Sequence, residues 1–207
     1  MIDTLTLIQA CAGTRYKPGS TKVVRSLLAA GADIEAAGSH LDRPLHVAIT
    51  TGNTEIARIL IEHGADITAA GCKDRAPLHL TAEYDNPDIM RLLLQKGAVT
   101  EVIDNSGRTP LHLCTESLPA QILIDHGAAI DHVDKDGLTP LQYAVLYEDV
   151  ELFKTLHRWG ASARTRRAKI DGRNISDMIE DLADHGSKEE FFAAVKGVPL
   201  RYKRAIR

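Results

Sequence analysis

Asp104-Asn105-Ser106-Gly107-Arg108-Thr109-Pro110-Leu111-His112 and Asp134-Lys135-Asp136-Gly137-Leu138-Thr139-Pro140-Leu141-Gln142 are one nine-residue phrase written twice. In each, a threonine oxygen can cap the free amides of a helix start, and a proline follows where its missing N–H costs nothing. Working outward, Pro44-Leu45-His46 and Pro77-Leu78-His79 repeat its last part, so the four prolines are spaced 33, 33 and 30 residues apart. Gly-Ala pairs beginning at Gly31, Gly64, Gly97, Gly127 and Gly160 give a second ladder, with steps of 33, 33, 30 and 33. Two ladders with one shared irregularity define a repeat.

Each unit has a physical reading. A first helix opens at Pro-Leu-His, and a short polar turn such as Thr51-Gly52-Asn53 follows. An apolar second helix then runs through Ile56-Ala57-Arg58-Ile59-Leu60-Ile61 to Gly64, which suits a left-handed C-cap. One helix pair is too thin to bury its own apolar face and must stack on copies of itself. The period and the Thr-Pro-Leu-His phrase resemble the ankyrin repeat. The resemblance spans residues 4–197 and implies an all-α solenoid of about six stacked helix-turn-helix units. It further implies β-turn fingers projecting sideways and a concave face formed by fingers and first helices. A single repeat domain is expected over 1–197, with atypical caps at about 1–37 and 165–197 and a basic tail over 198–207.

Departures from the pattern are informative. Leu5–Cys11 lacks the Pro and His of a first helix, and about five extra residues fall in a loop over 13–20. At the other end, 172–178 is a degenerate repeat start, its finger about two residues longer than the others. The unit between Pro110 and Gly127 is three residues short, which predicts a local pinch with Pro119 in the first turn of a shortened second helix. Leu41 and Asp74 stand where Gly107 and Gly137 sit, and Arg43 and Ala76 replace the capping threonine, so fingers one and two are expected to be distorted or less well ordered.

Composition limits the function classes. The 207 residues are 44% hydrophobic and 26% charged, with 25 basic and 28 acidic side chains, which excludes a disordered chain and a globally basic nucleic-acid binder. No apolar run approaches the roughly 20 residues that cross a bilayer. Met1-Ile2-Asp3 carries no basic segment ahead of its short apolar stretch, so a secretory signal is not expected, and an intracellular location is, either cytoplasmic or, for an injected effector, the host cytosol. Cys11, Cys72 and Cys114 have neither knuckle nor disulfide spacing and read as free thiols.

Nine histidines invite a metal or acid–base reading. His46, His79 and His112 recur at the repeat spacing, and identical residues one unit apart cannot converge on a single ion as tetrahedral ligation requires. The resemblance implies that they bridge neighbouring loops by hydrogen bonds. His63 and His126 precede Gly-Ala steps, where a helix C-terminus favours an imidazole. His157 is odder, because its column otherwise holds Leu28, Ile61, Leu94 and Ile124. No nucleophile elbow, HExxH, Walker loop or dinucleotide fingerprint is present, so neither catalysis nor a metal or other cofactor is expected.

The surface is left to carry function. Aligned repeats put Thr50-Thr51, Glu83-Tyr84, Glu116 and Leu146-Tyr147 at the ends of first helices. The fingers add His40 and Asp42, Lys73 and Arg75, Asn105 and Arg108, and Lys135 and Leu138. Trp159, the only tryptophan, stands at a normally polar site before Gly160. Tyrosine, arginine and leucine on one strip suit a protein interface. The first expectation is therefore a non-catalytic adaptor, regulator or stoichiometric inhibitor gripping a folded protein. The second is binding of nucleic acid or an anionic surface through Arg164, Arg166, Arg167 and Lys169 of the last finger and Arg201, Lys203 and Arg204 of the tail.

Overall fold

The computed structural model describes residues 4–12, 19–38, 42–162, 175–180 and 185–195. The first four repeats give α1 (Thr4–Ala12) and α2 (Thr21–Ala29), α3 (Pro44–Thr50) and α4 (Thr54–Glu62), α5 (Pro77–Glu83) and α6 (Pro87–Gln95), then a 3-10 turn over Pro110–Leu113 and α7 (Ser117–Asp125). The last two repeats give α8 (Pro140–Leu146) and α9 (Val150–Arg158), then α10 (Ile175–Glu180) and α11 (His185–Val195). Among the described residues there is no strand, and the all-α solenoid of six units is as expected.

Two layers run the length of the stack. First helices touch in the order α1, α3, α5, the 3-10 turn, α8 and α10, while second helices touch in the order α2, α4, α6, α7, α9 and α11. The core lies between the layers. Leu45, Leu78, Leu111 and Leu141, one after each proline, are all buried, and so are Ile56, Ile59 and Leu60 of α4. Phe153 of α9 meets Phe191 of α11 edge-on at 5.0 Å, and His157 stacks on the same phenyl ring, which accounts for an imidazole in an aliphatic column.

Left-handed glycines end the second helices. Gly64, Gly97 and Gly127 have φ of 88°, 93° and 86°, and nothing lies within 4 Å of where a Cβ would stand. Backbone conformation, not crowding, therefore selects glycine there.

The pinch is present, but in a different place from that expected. α7 has nine residues, as α4, α6 and α9 do, whereas the seven-residue first helix of neighbouring repeats shrinks to the four-residue 3-10 turn. Cys114 then leaves the helix in extended backbone (φ −62°, ψ 129°), and α7 packs on α5 as well as on α6. Pro119 is buried in the first turn of α7, as expected, but that helix is full-length rather than shortened.

Finger two is distorted, as expected. Its tip is a 3-10 turn, Cys72–Asp74, with Lys73 and Asp74 both in the left-handed region at φ 61° and 57°. Fingers three and four place only Gly107 and Gly137 there, both at φ 78°. The expected distortion of finger one centres on Leu41, which lies outside the described residues.

Candidate interaction surface

Fingers stack through their backbones. The Asn105 amide donates to Lys73 O and the Lys135 amide to Ser106 O, each at 3.0 Å. Asp104 and Asp134 shape their own fingers: Asp104 Oδ1 accepts from the Ser106 and Arg108 amides, and Asp134 Oδ1 from those of Asp136 and Leu138. Gly71 holds the equivalent place in finger two, where a Cβ would stand 2.9 Å from Asp42 Oδ1 and from the His46 ring. The missing carboxylate is supplied from the previous finger, since Asp42 Oδ1 accepts from the Cys72 amide at 3.2 Å.

Histidines lock fingers to helices. Nδ1 of His46, His79 and His112 accepts from the amides of Arg43, Ala76 and Thr109, while Nε2 donates to Ala69 O, Arg108 O and Leu138 O at 3.0–3.1 Å. Both ring nitrogens are thus committed in the neutral tautomer. Burial holds all three below the ordinary histidine range, His112 at about 4. In the fifth unit Gln142 Oε1 accepts from the Thr139 amide in the same way. Thr139 Oγ1 accepts from the Gln142 amide as a cap, whereas Thr109 Oγ1 lies 2.9 Å from His112 Nδ1. His63 and His126 donate from Nδ1 to Ile59 O and Ile122 O, closing the ends of α4 and α7. Among the described residues no group of three or more His, Cys, Asp or Glu side chains is placed to hold a metal ion.

Four of the expected interface residues form one column, and the structure corrects the reading of two of them. Arg75 is 7% exposed and Leu138 5%, so neither is available as a surface anchor. The Arg75 guanidinium lies between Glu83 of α5 and Asp104 of the next finger. Arg108, half-buried, donates from Nε and Nη2 to Asp104 Oδ2 at 3.0 and 2.7 Å. Burial raises the Asp104 carboxyl, but the Arg108 guanidinium and the finger amides outweigh it and leave the group below the usual carboxylate range. Asp42, fourth in the column, is the half-buried acceptor from Cys72. This column joins repeats to one another, and Glu83 is part of the same network.

The other column points outward. Tyr84 after α5 is 51% exposed and Tyr147 after α8 is 69% exposed, with Leu146 beside it also exposed. Lys73 is exposed at the tip of finger two. Asp42, His46, Thr50, Lys73 and Tyr84 line one groove between the fingers and the first helices. Ile103 and Val133, at the bases of fingers three and four, are exposed as well. Trp159 is exposed at the end of α9, in the other layer from Tyr84 and Tyr147. His40, Arg164, Arg166, Arg167, Lys169, Arg201, Lys203 and Arg204 lie outside the described residues.

Sequence reasoning missed the cleft beside the 3-10 turn. Leu111, Cys114, Thr115, Tyr143, Tyr147 and Leu152 line it, and its signal was the three-residue deletion, which sequence reading takes as a local pinch alone. Among the described residues, no helix is long and apolar enough to cross a membrane. Against known families, the chain matches the one described as ankyrin repeats, in three copies, over residues 4–71, 68–119 and 101–167. Comparison with curated proteins finds no match.

Proposed function

The chain belongs to the ankyrin-repeat family, whose members generally mediate protein–protein interaction, and from that premise we propose that it is a non-catalytic binding module. In this reading it is an intracellular adaptor, regulator or stoichiometric inhibitor that holds a folded partner along the ends of its first helices and its fingers. The observation that carries the reading is the exposure of Tyr84, Leu146 and Tyr147 at one end of a single helix layer. Two repeats separate the tyrosines, roughly 20 Å at ordinary interhelical spacing, which suits one protein face. Tyrosines supply large amphipathic contact area at low entropic cost, and a stacked scaffold loses little freedom on binding.

Affinity capture with the full chain, followed by reconstitution from purified components, tests the proposal. A discrete complex is expected, and Tyr84→Ala should weaken it by about 2 kcal/mol, roughly thirtyfold, as for an aromatic anchor. The adjacent ion pair between Arg75 and Glu83 is left in place by that substitution. A complex indifferent to both Tyr84→Ala and Tyr147→Ala, but abolished by removal of 198–207, would move the interface to the basic tail.

A further inference from the structure

Resting on that reading, we infer that the cleft beside the shortened fourth repeat takes an apolar side chain from a basic segment of the partner. The cleft exists because the chain leaves the helix at Cys114, where α3, α5 and α8 continue for three more residues. The missing turn uncovers the flank of α8. Leu111, Cys114 and Leu152, all buried, form the floor. The rings of Tyr143 and Tyr147, 5.8 Å apart and tilted by 33°, form a wall. Tyr143 is fixed in place because its hydroxyl donates to Asp134 Oδ2 at 2.8 Å, while Tyr147 is largely exposed at the mouth. An apolar floor with an aromatic wall favours a leucine, methionine or phenylalanine over a polar group.

Charge decides what flanks that residue. Between Arg108 and Lys154 the sequence holds eight carboxylates and a single lysine, in a chain whose overall charge is only −3. That lysine, Lys135, donates to Asn105 O on the neighbouring finger. One carboxylate lines the cleft, and two more are chain neighbours of lining residues. Asp149 lines it and caps α9 through the Leu152 amide, Glu148 sits between Tyr147 and Asp149, and Glu116 follows Thr115. From the preceding repeat Asp85 adds its field: burial and the Asp85 charge together push the Cys114 thiol upward. Arginine or lysine on either side of the anchor would meet this rim with complementary charge, whereas an acidic segment would be repelled.

A random-peptide phage library panned on the full-length chain tests this. Enriched peptides should carry one leucine, methionine or phenylalanine among arginines and lysines, and their capture should weaken as salt is raised. The strongest, synthesised with a fluorescein label, should lose about tenfold or more in affinity to Thr115→Arg, which obstructs the cleft, and to the pair Glu116→Lys and Glu148→Lys, which reverses its rim. All three positions are exposed, so circular dichroism should match the parent protein. No enrichment, enrichment of acidic or uncharged peptides, or unchanged binding by these variants overturns the inference. So does a gain of about tenfold in peptide affinity on removing 198–207, which would assign the cleft to the chain's own basic tail. A whole-partner complex weakened by Tyr84→Ala but indifferent to Thr115→Arg sinks the cleft and leaves the binding module standing; failure to form any complex sinks the module itself.

Discussion

His112 shows how little freedom a repeat position has once the stack forms. Its Nδ1 faces the Thr109 amide, a donor that cannot turn round, so a proton added to Nδ1 removes an acceptor and sets two donors against each other. His46 and His79 are held in the same way. All three are pushed below the ordinary value of 6.5. The unfolded chain therefore binds more protons than the folded one as pH falls below about 6.5. Stability contributed by the neutral rings is complete above that pH and is lost as pH falls through the folded value, about 4 for His112. For His112 the loss amounts to roughly 3 kcal/mol. Urea unfolding between pH 7 and pH 4 should show this decline. The triple variant His46→Gln, His79→Gln and His112→Gln, which copies the arrangement of Gln142, should flatten it.

Asp104 carries the other residue-scale prediction. Its buried carboxylate serves Arg108, Arg75 and two finger amides. Asp104→Asn leaves the Arg108 guanidinium without its counter-charge, while Arg75 keeps Glu83, and should cost about 3–5 kcal/mol in chemical denaturation, well beyond a surface substitution. Sequence reading places the four unlike side chains Asp42, Arg75, Arg108 and Leu138 on the fingers and assigns them to an interface, because arginine and leucine on one strip suit one. The variety arises because each side chain solves a different local problem: Asp42 serves a finger that has glycine in place of aspartate, the arginines reach the Asp104 carboxylate, and Leu138 enters the core. Residue identity at a finger does not reveal which way the side chain turns.

At the scale of elements, the helices were far more legible than the turns. Proline, glycine and apolar spacing located α3 to α6, α8 and α9, because capping chemistry and burial both act locally along the chain. The three-residue deletion was equally plain, but assigning it to the second helix was wrong. The second helix carries the apolar face that meets α6 and α9, so losing a turn there would open the core, whereas the first helix can shorten at its exposed end. Finger two offers a direct check. Asp74 occupies the left-handed region where fingers three and four use glycine. Asp74→Gly should therefore stabilise the protein by about 0.5–1 kcal/mol, read as a higher denaturation midpoint at unchanged slope. A loss of stability would mean that the aspartate makes a contact outweighing its backbone strain.

Among the described residues, the main helix contacts run within a unit or between neighbouring units, and the proposed function draws on the surface that such a stack displays. Tyr84 and Tyr147 stand out as exposed aromatic rings at the same position of two first helices, and the shortened repeat opens its cleft between them in the stacking order. Hydrogen exchange on the reconstituted complex tests the central claim most directly. The account predicts slowed exchange on binding at 84–86, 114–117 and 146–149, with the amides of α4, α6 and α9 unchanged. Protection confined to 164–173 and 198–207, or spread along the second helices with none at Tyr84 or Tyr147, would contradict it.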